Sequence, residues 1–481
     1  MLRKFILLTL TLSFSVIVSL SSATAATTAE VVSSLSDQTG VAVTIYNQNL
    51  ALIKDQRRLH LQSGIVNLAF RGVSAKMRPE TALFSAKGLS VIEQNFEFDL
   101  LTPKSLLQKY VDRQIEVIRR HPTTGVETRE KAEVLSTNNG VVLKFVDRIE
   151  SGVPGRLAFS SLPENLRDKP TLTMLLESQK AGDKDIELSY LSRGLGWQAD
   201  YVAELNAADS ALNLSGWVTL TNTSGTTYNN ARLQLVAGDL HQVSAKQSSD
   251  NVRRERALKT MAAAAPNMVQ EEMFEYHLYT LARPTTIADK QSKQVALLQA
   301  TAIPCKKEFL LRGRSYYYRQ AYGEIDKKLK VGVYAEIENR KKNNLGMPLP
   351  KGIVRVYKED SKGALQFVGE DRIDHTPENE TIRLKLGDAF DLTGAKKQTD
   401  FKKLSGDGRY NYIYEAAFEL KLKNAKAEVV TIKVTEPIPG DWEILSESHK
   451  HKKESSSVAS WRIKVPAKGE TVMTYKARIK F

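Results

Sequence analysis

The residues best suited to chemistry form one short acidic segment, residues 370–375. Carboxylates and imidazoles bind divalent cations and transfer protons, so this segment could serve a metal-dependent or acid–base hydrolase. Arg372 lies inside the segment and can instead pair with Asp371 or Asp374, which would make the segment a charged strand end and turn. We favour this structural interpretation and keep the hydrolase as the alternative. The four weak candidates for a metal or acid–base site are Glu370, Asp371, Asp374 and His375.

The usual short motifs of catalysis are missing from the rest of the sequence. It contains no nucleophile elbow, zincin helix, phosphate-binding loop, EF-hand loop or paired C-x-x-C motif. Asp239 and His241 form a further acid–imidazole pair, for which we expect no catalytic role. The sequence therefore predicts no catalytic residue, no cofactor and no bound metal, and hence a protein that is not an enzyme.

Three residues with reactive or aromatic side chains are interpreted as structural. Cys305 is the only cysteine, whereas exported proteins normally use cysteines in pairs, so we expect a buried or half-buried bystander. Trp197 and Trp217 are expected to pack in a core or between domains, with sugar stacking as the alternative. Trp217 is the more informative of the two, because it shares the polar face of its strand with small hydroxyl side chains.

The elements that must position these residues are strands, and the clearest lie between residues 186 and 243. Apolar and polar residues alternate over residues 197–205, as expected for a half-buried strand whose successive side chains point to opposite faces. Similar patterns predict strands over residues 186–191, 212–222 and 231–237. Since the connections are short, we expect these four strands to form an antiparallel meander.

This stretch also carries a resemblance. The segments ELSYLSRGLGWQADYVAEL, LSGWVTLTNTSGTTYNNARLQLVAGDL and IPGDWEIL resemble the bacterial exported DUF4139 family, whose domain is shared by mucoidy-inhibitor-like proteins. The resemblance implies an exported, β-rich protein and carries over no catalytic or binding residue. Mucoidy-inhibitor-like members place a long coiled coil before the domain, whereas this chain has no sustained heptads.

The first 25 residues predict export. Arg3 and Lys4 precede an apolar run over residues 5–20, and Ala23-Thr24-Ala25 provides a small-residue cleavage site. The apolar run is shorter than the about 20 residues that span a membrane, so we expect a periplasmic or secreted protein without a transmembrane segment after cleavage. The net charge is +14. We expect this charge mainly to aid solubility. If it has a partner, export argues against nucleic acid and favours an anionic lipid surface or an acidic polysaccharide.

The chain as a whole predicts a mainly β, multi-domain protein of antiparallel sandwich and meander architecture. A helix should begin at Thr102-Pro103, because threonine caps a helix and proline suits its first turn. The short strands after it resemble a small SH3-like or Sm-like barrel. The predicted regions are a signal peptide (1–25), an N-terminal β-sheet region (26–101), the small barrel (102–161), a central β domain (171–300) with a flexible insertion (244–272), a sandwich-like region (301–405) and a C-terminal sandwich (406–481).

These observations predict a non-enzymatic protein of the cell envelope. We expect its β-sandwich modules to bind another envelope protein or an anionic surface, and exposed sheet edges would permit strand addition. The alternative is a hydrolase acting on an envelope polysaccharide through the segment 370–375.

Overall fold

The computed structural model describes residues 30–47, 49–97, 99–163, 166–238, 268–273, 276–406 and 408–481. Strands account for 66% of residues and helices for 5%, so the predicted mainly β fold is confirmed. The predicted signal peptide and the pair Asp239 and His241 lie outside the described residues. Among those described, no helix is long and apolar enough to cross a membrane.

The first third of the chain contains eleven strands and one α-helix in its described part. The strands before the helix are β1 (Val31–Ser33), β2 (Gln38–Tyr46), β3 (Leu50–Leu61), β4 (Gly64–Arg71), β5 (Leu83–Ala86) and β6 (Leu89–Glu97). The helix and the strands that follow it are α1 (Pro103–Lys109), β7 (Gln114–Arg120), β8 (Glu127–Ser136), β9 (Val142–Lys144), β10 (Ile149–Ser151) and β11 (Arg156–Ala158).

The remaining described residues form nineteen strands. The central group is β12 (Thr171–Ser178), β13 (Gly182–Ser192), β14 (Leu195–Leu205), β15 (Ala211–Asn222), β16 (Tyr228–Ala237), β17 (Met268–Met273), β18 (Tyr276–Leu281) and β19 (Thr285–Ile287). The later group is β20 (Gln291–Arg312), β21 (Glu324–Glu338), β22 (Gly352–Glu359), β23 (Leu365–Ile373), β24 (Thr381–Ser405), β25 (Tyr412–Asn424), β26 (Val430–Pro437), β27 (Asp441–Glu447), β28 (Lys452–Ser455), β29 (Val458–Val465) and β30 (Gly469–Lys480). Short 3₁₀ turns occupy Leu35–Asp37, Pro79–Thr81, Ser315–Tyr318 and Lys341–Asn343.

The predicted helix is confirmed, but the module around it is not a closed barrel. Thr102 caps α1 by accepting a hydrogen bond from the Ser105 backbone N–H at 3.0 Å, and Pro103 opens the helix. The following strands form an open sheet in the order β10-β9-β8-β7-β11. The two edge strands are only three residues long and lie at opposite ends of the sheet, so the sheet does not close. The expected SH3-like or Sm-like barrel is therefore wrong as to closure.

The four strands predicted between residues 186 and 243 all form, as β13 to β16, but not as a meander. Only β14 and β15 are neighbours. β13 lies between β3 and β5, and β16 pairs in parallel with β2. Alternation identifies a half-buried strand, whereas its partner is chosen by packing between distant segments.

Strands from the predicted N-terminal, central and sandwich-like regions share the large hydrophobic core that we call the first core. A sheet ordered β1-β4-β12-β6 and a sheet ordered β17-β18-β16-β2-β3-β13-β5 contribute to it, together with β14, β15 and β22. N-terminal and central strands are thus hydrogen-bonded in the same sheets. The domain boundaries stay predictions. Within the expected insertion (244–272), the structure describes only its end, where β17 begins at Met268. Residues 244–267 lie outside the described residues.

One thirteen-stranded sheet connects the first core to a second one, the C-terminal core. Its order is β23-β22-β14-β15-β20-β21-β24-β25-β30-β27, with β26, β28 and β29 attached beside it. The strands β20, β21 and β24 are 22, 15 and 25 residues long, and each contributes side chains to both cores. Ala335 on β21, for example, lies in the first core, while Val331 on the same strand lies in the C-terminal core.

Candidate functional site

A cavity of about 260 Å³ lies where the long strands pass from one core to the other. It is bounded by the end of β14, the middle of β20, β21 and β24, and the neighbouring parts of β22 and β23. We call it the seam cavity, because it lies beside the seam at which β23 approaches β24 without pairing with it. Its lining is Leu205, Asp209, Cys305, Lys307, Val333, Tyr334, Ala335, Lys358, Val368, Leu386, Gly387 and Asp388.

Two β-bulges shape the seam cavity, one on each side of the seam. On β23, the register with β22 passes from Gly369 to Phe367, which leaves Val368 as the extra residue. On β24, the register with β21 passes from Gly387 to Lys385, which leaves Leu386 as the extra residue. Bulges redirect side chains out of the strand alternation, and both of these residues line the cavity.

A close backbone contact holds the two sides of the seam together. Gly369 lies so near to β24 that a Cβ atom built on it would be 2.2 Å from the Leu386 carbonyl oxygen. Beside it, the Lys385 backbone N–H donates a hydrogen bond to the Asp371 carboxylate at 2.7 Å. A glycine is therefore required where β23 crosses β24.

The polar wall of the seam cavity is an aspartate held between two lysines. Asp209 belongs to the turn between β14 and β15 and has a left-handed backbone conformation, with φ of 55°. Its carboxylate accepts a hydrogen bond from Lys307 at 2.8 Å and another from Lys358. Burial alone would raise the pKa of Asp209, but the two ammonium groups outweigh it and hold the pKa below its ordinary value.

The cysteine in the cavity wall is a protonated thiol at neutral pH. Burial, and secondly the nearby Asp209 carboxylate, raise the pKa of Cys305 to about 11. A reactive cysteine needs the opposite shift, because the thiolate is the nucleophile. The side chain is half-buried, as the sequence predicted, but it lines a cavity that the sequence did not predict.

Large apolar side chains are exposed on the strands that bound the seam cavity. Leu365 and Phe367 on β23 are 51% and 56% exposed, and Phe390 on β24 is 97% exposed. Phe390 protrudes where four residues of β24 lie opposite one residue of β21, between the pairs Gly332–Asp388 and Lys330–Thr393. Phe367 packs against Tyr357, whose neighbour Val356 is buried in the first core, so the exposed apolar side chains of β23 lie on the side of the sheet turned away from that core.

The acidic segment predicted from the sequence lies at the end of β23, and its side chains point in different directions. Glu370 is exposed and pairs with Arg355 at 3.3 Å. Asp371, the next residue along the strand, accepts hydrogen bonds from the backbone N–H groups of Arg372 and Lys385. Successive strand residues face opposite ways, so these two carboxylates do not converge.

The other two residues of the segment follow the strand. Asp374 is exposed, while the imidazole of His375 lies within hydrogen-bonding distance of the Lys351 backbone N–H, at 3.3 Å, and of Asn47, at 3.5 Å. Across the described part of the chain, no three His, Cys, Asp or Glu side chains are close enough to share a metal ion. Hydrolase activity at this segment remains a prediction.

The part of the chain that surrounds the seam cavity identifies the family of the protein. Residues 186–481 match the model of a family described as Domain of unknown function (DUF4139). The chain belongs to this family. The match confirms the resemblance seen in the sequence, and it adds no statement about bacterial origin or export. No curated protein matches the chain.

Every residue that lines the seam cavity lies within the DUF4139 match, whereas β1 to β12 and α1 lie before it. Sequence reasoning missed this site. Its charged residues come from a turn and three distant strands, and its apolar residues include two bulge positions at which alternation fails. The only signal in the sequence was the single cysteine, which gave no indication of its surroundings.

Proposed function

We propose that the protein is an exported, non-enzymatic binding protein of the cell envelope that holds an extended apolar segment of another envelope protein. The segment would lie along β23 and insert one apolar side chain into the seam cavity. The observation that carries the proposal is this cavity, open beside an edge strand with exposed apolar side chains.

The position of β23 supports binding by strand addition. It is the terminal strand of the thirteen-stranded order, and a terminal strand presents backbone N–H and C=O groups on its outer side. The part of β23 offered for pairing is the segment before Gly369, because Gly369 and Asp371 contact β24. Proteins normally blunt such edges with charge or proline, whereas β23 carries Leu365 and Phe367 in exposed positions. An extended peptide that pairs with such an edge gains affinity from backbone hydrogen bonds and specificity from neighbouring cavities.

The size of the cavity supports a side chain as its occupant. Small-molecule sites usually measure about 300–1,000 Å³, and the seam cavity, at about 260 Å³, is below this range. Its floor is largely apolar, with Leu205, Val333 and Leu386 among the lining residues. One aliphatic or aromatic side chain of a partner would fill it and remove its apolar walls from water.

The chemistry of the lining supports binding over catalysis. The Cys305 thiol is held in its protonated form by its raised pKa. The Asp209 carboxylate already accepts hydrogen bonds from two lysines, so it is a poor general base. Asp388 lies near Lys330 and Lys385, at 3.7 and 3.5 Å. Each carboxylate thus lies beside two lysines, and no group among them is activated for attack.

Cys305 offers a direct test, because it is the only cysteine and it lines the cavity. We expect a protein captured from envelope extract by residues 26–481, and retained in high salt, to slow alkylation of Cys305 measured at alkaline pH. Filling the cavity by Val368→Trp should abolish both capture and protection. The matched control is Val472→Trp, since Val472 is a strand valine of similar exposure, 41% against 37%, in the C-terminal core region.

The outcomes separate the possible partners. Release of all captured protein at high salt would indicate a charge-driven association with an anionic surface and would contradict a cavity-bound segment. Equal capture by Val368→Trp and Val472→Trp would also contradict it. Export is tested separately by the mass of the protein recovered from the cell envelope, which should correspond to a chain beginning after Ala25.

A further inference from the structure

The sheet that lines the seam cavity has a second surface, on the side turned away from the first core. On β14, Ala199, Tyr201 and Ala203 are buried in that core, so Gln198, Asp200 and Val202 point the other way. The strand order places β15 and β20 on one side of β14 and β22 and β23 on the other. We call the surface formed by these five strands the outer face.

A hydrogen-bonded network fixes the polar side chains of the outer face. The Asp200 carboxylate accepts hydrogen bonds from the Thr219 hydroxyl at 2.7 Å and from the Gln198 amide at 3.1 Å. Arg355 donates to the same carboxylate at 3.2 Å and pairs with Glu370 at 3.3 Å. Asp200 is 6% exposed. A network of this kind holds its members in place before any ligand arrives.

Trp217 stands next to this network. It is the cross-strand partner of Asp200, and its neighbour Val218 is buried in the first core, so the indole belongs to the outer face. It is half-buried, whereas the other three tryptophans, Trp197, Trp442 and Trp461, are at most 6% exposed. The chain thus has one tryptophan ring at a surface, and it adjoins fixed carboxylate, amide and guanidinium groups.

We infer that the outer face binds a neutral saccharide. A pyranose ring has an apolar C–H face that packs on an aromatic ring, while its hydroxyls both donate and accept hydrogen bonds. Trp217 supplies the ring, and the free atoms of Gln198, Arg355 and Glu370 supply the polar partners. Around Trp217 the charges of Asp200 and Glu370 are opposed by those of Arg355 and Arg372, which suits an uncharged ligand, while the exposed Glu204 lies farther along β14 on the same face.

Around Trp217, an apolar protein surface fits the outer face less well than a sugar does. Covering it with apolar groups would take the exposed Gln198 and Glu370 side chains out of water without new partners, which is unfavourable. A saccharide replaces the lost water contacts with hydroxyl groups. The inference is separate from the proposed function, because neither Trp217 nor any residue of the polar network beside it lines the seam cavity.

Intrinsic fluorescence provides the measurement, because Trp217 is the tryptophan that ligands can reach. The probes are hexamers of α-1,4-, β-1,3- and β-1,4-linked glucose and of β-1,4-linked N-acetylglucosamine, added to the chain from residue 26. We expect at least one to change the emission of Trp217 and to protect it from acrylamide. The emission change should be absent in Trp217→Phe and retained in Trp461→Phe.

Binding measured by calorimetry then distinguishes a Trp217 ring that stacks on the sugar from one that only supports the fold. Trp217→Ala should weaken the responsive sugar by about tenfold or more, as expected for an aromatic hot spot, whereas Trp217→Phe should retain part of the affinity. Val368→Trp, which fills the seam cavity, should leave sugar binding unchanged. Thus loss of partner capture and loss of sugar binding are separate results.

Three outcomes would overturn the inference. The first is no response to any of the four hexamers although acrylamide quenches Trp217. The second is a response confined to acidic polymers such as alginate and lost in high salt, which would indicate charge alone. The third is a dimer in light scattering with Trp217 protected from acrylamide, which would assign the outer face to a contact between two copies of the chain.

Discussion

The C-terminal core and the seam cavity both contain a lysine–carboxylate pair, in opposite settings. In the core, Lys396 donates to Glu436 at 2.6 Å, and neither side chain has any exposed surface. Lys396 also donates to the Tyr475 hydroxyl at 2.9 Å, and Tyr318 donates to Glu436 at 3.1 Å. At the seam, by contrast, Asp209 and its two lysines are 21–37% exposed beside an open cavity.

The difference in exposure determines whether each pair can contact a ligand. Burial lowers the pKa of Lys396, opposed by the attraction of Glu436, and the pair is enclosed by aromatic rings, with the ammonium 4.6 Å from the Phe418 ring centre. Even the backbone is fitted to it, since a Cβ on Gly313 would lie 2.0 Å from a Glu436 oxygen. A closed pair can only support the fold, whereas the seam pair retains a face toward a ligand.

The largest effect is expected from breaking the closed pair. Lys396→Met leaves the Glu436 carboxylate buried without its partner, which should lower the free energy of unfolding by about 3–5 kcal/mol. Urea denaturation followed by fluorescence measures the change. The double variant Lys396→Met/Glu436→Gln should recover part of it, because no uncompensated charge remains. A loss below about 1 kcal/mol for the single variant would mean that the pair is accessible to water.

A smaller loss of stability is expected from disturbing the contact between β23 and β24 at the seam. Gly369→Ala places a methyl group against the Leu386 carbonyl oxygen, and such overpacking costs about 1–3 kcal/mol. Gly387→Ala is the matched control, because its φ of 152° is close to the 154° of Gly369, yet a Cβ there meets nothing within 4 Å. The difference between the two variants in urea denaturation isolates the contact across the seam. Equal losses would show that backbone strain alone is responsible.

The contrast between the two sites also explains what sequence reasoning could reach. Alternation predicted β14 and β15 as strands, because each has one buried and one outward face. It could not predict that β16 pairs with β2, since nothing local encodes a distant partner. The seam cavity depends on bulges at Val368 and Leu386, where the alternation fails. The acidic segment was visible as a pattern, but Glu370 pairs with Arg355 from another strand, which composition could not reveal.

The smallest effect is expected from the open pair, and it depends on pH. The lysines hold the pKa of Asp209 below its unfolded value of about 3.9. The carboxylate therefore contributes stability above about pH 4, and this contribution is lost as the pH falls through the lower, folded pKa. Asp209→Asn should lower the free energy of unfolding by about 1 kcal/mol at pH 7.

The difference in the free energy of unfolding between the original protein and Asp209→Asn should shrink toward zero as the pH falls below the folded pKa of Asp209, because both side chains are then uncharged. Urea denaturation at pH 7, 4 and 2.5 measures how this difference in the free energy of unfolding decreases. Asp388→Asn serves as the control, since its lysine contacts of 3.5 and 3.7 Å are too long for hydrogen bonds and should give a smaller difference at pH 7. If the free energies of unfolding of the original protein and of Asp209→Asn differ by the same amount at every pH, the two lysines do not stabilise the Asp209 charge. Water would then screen the charges at the seam.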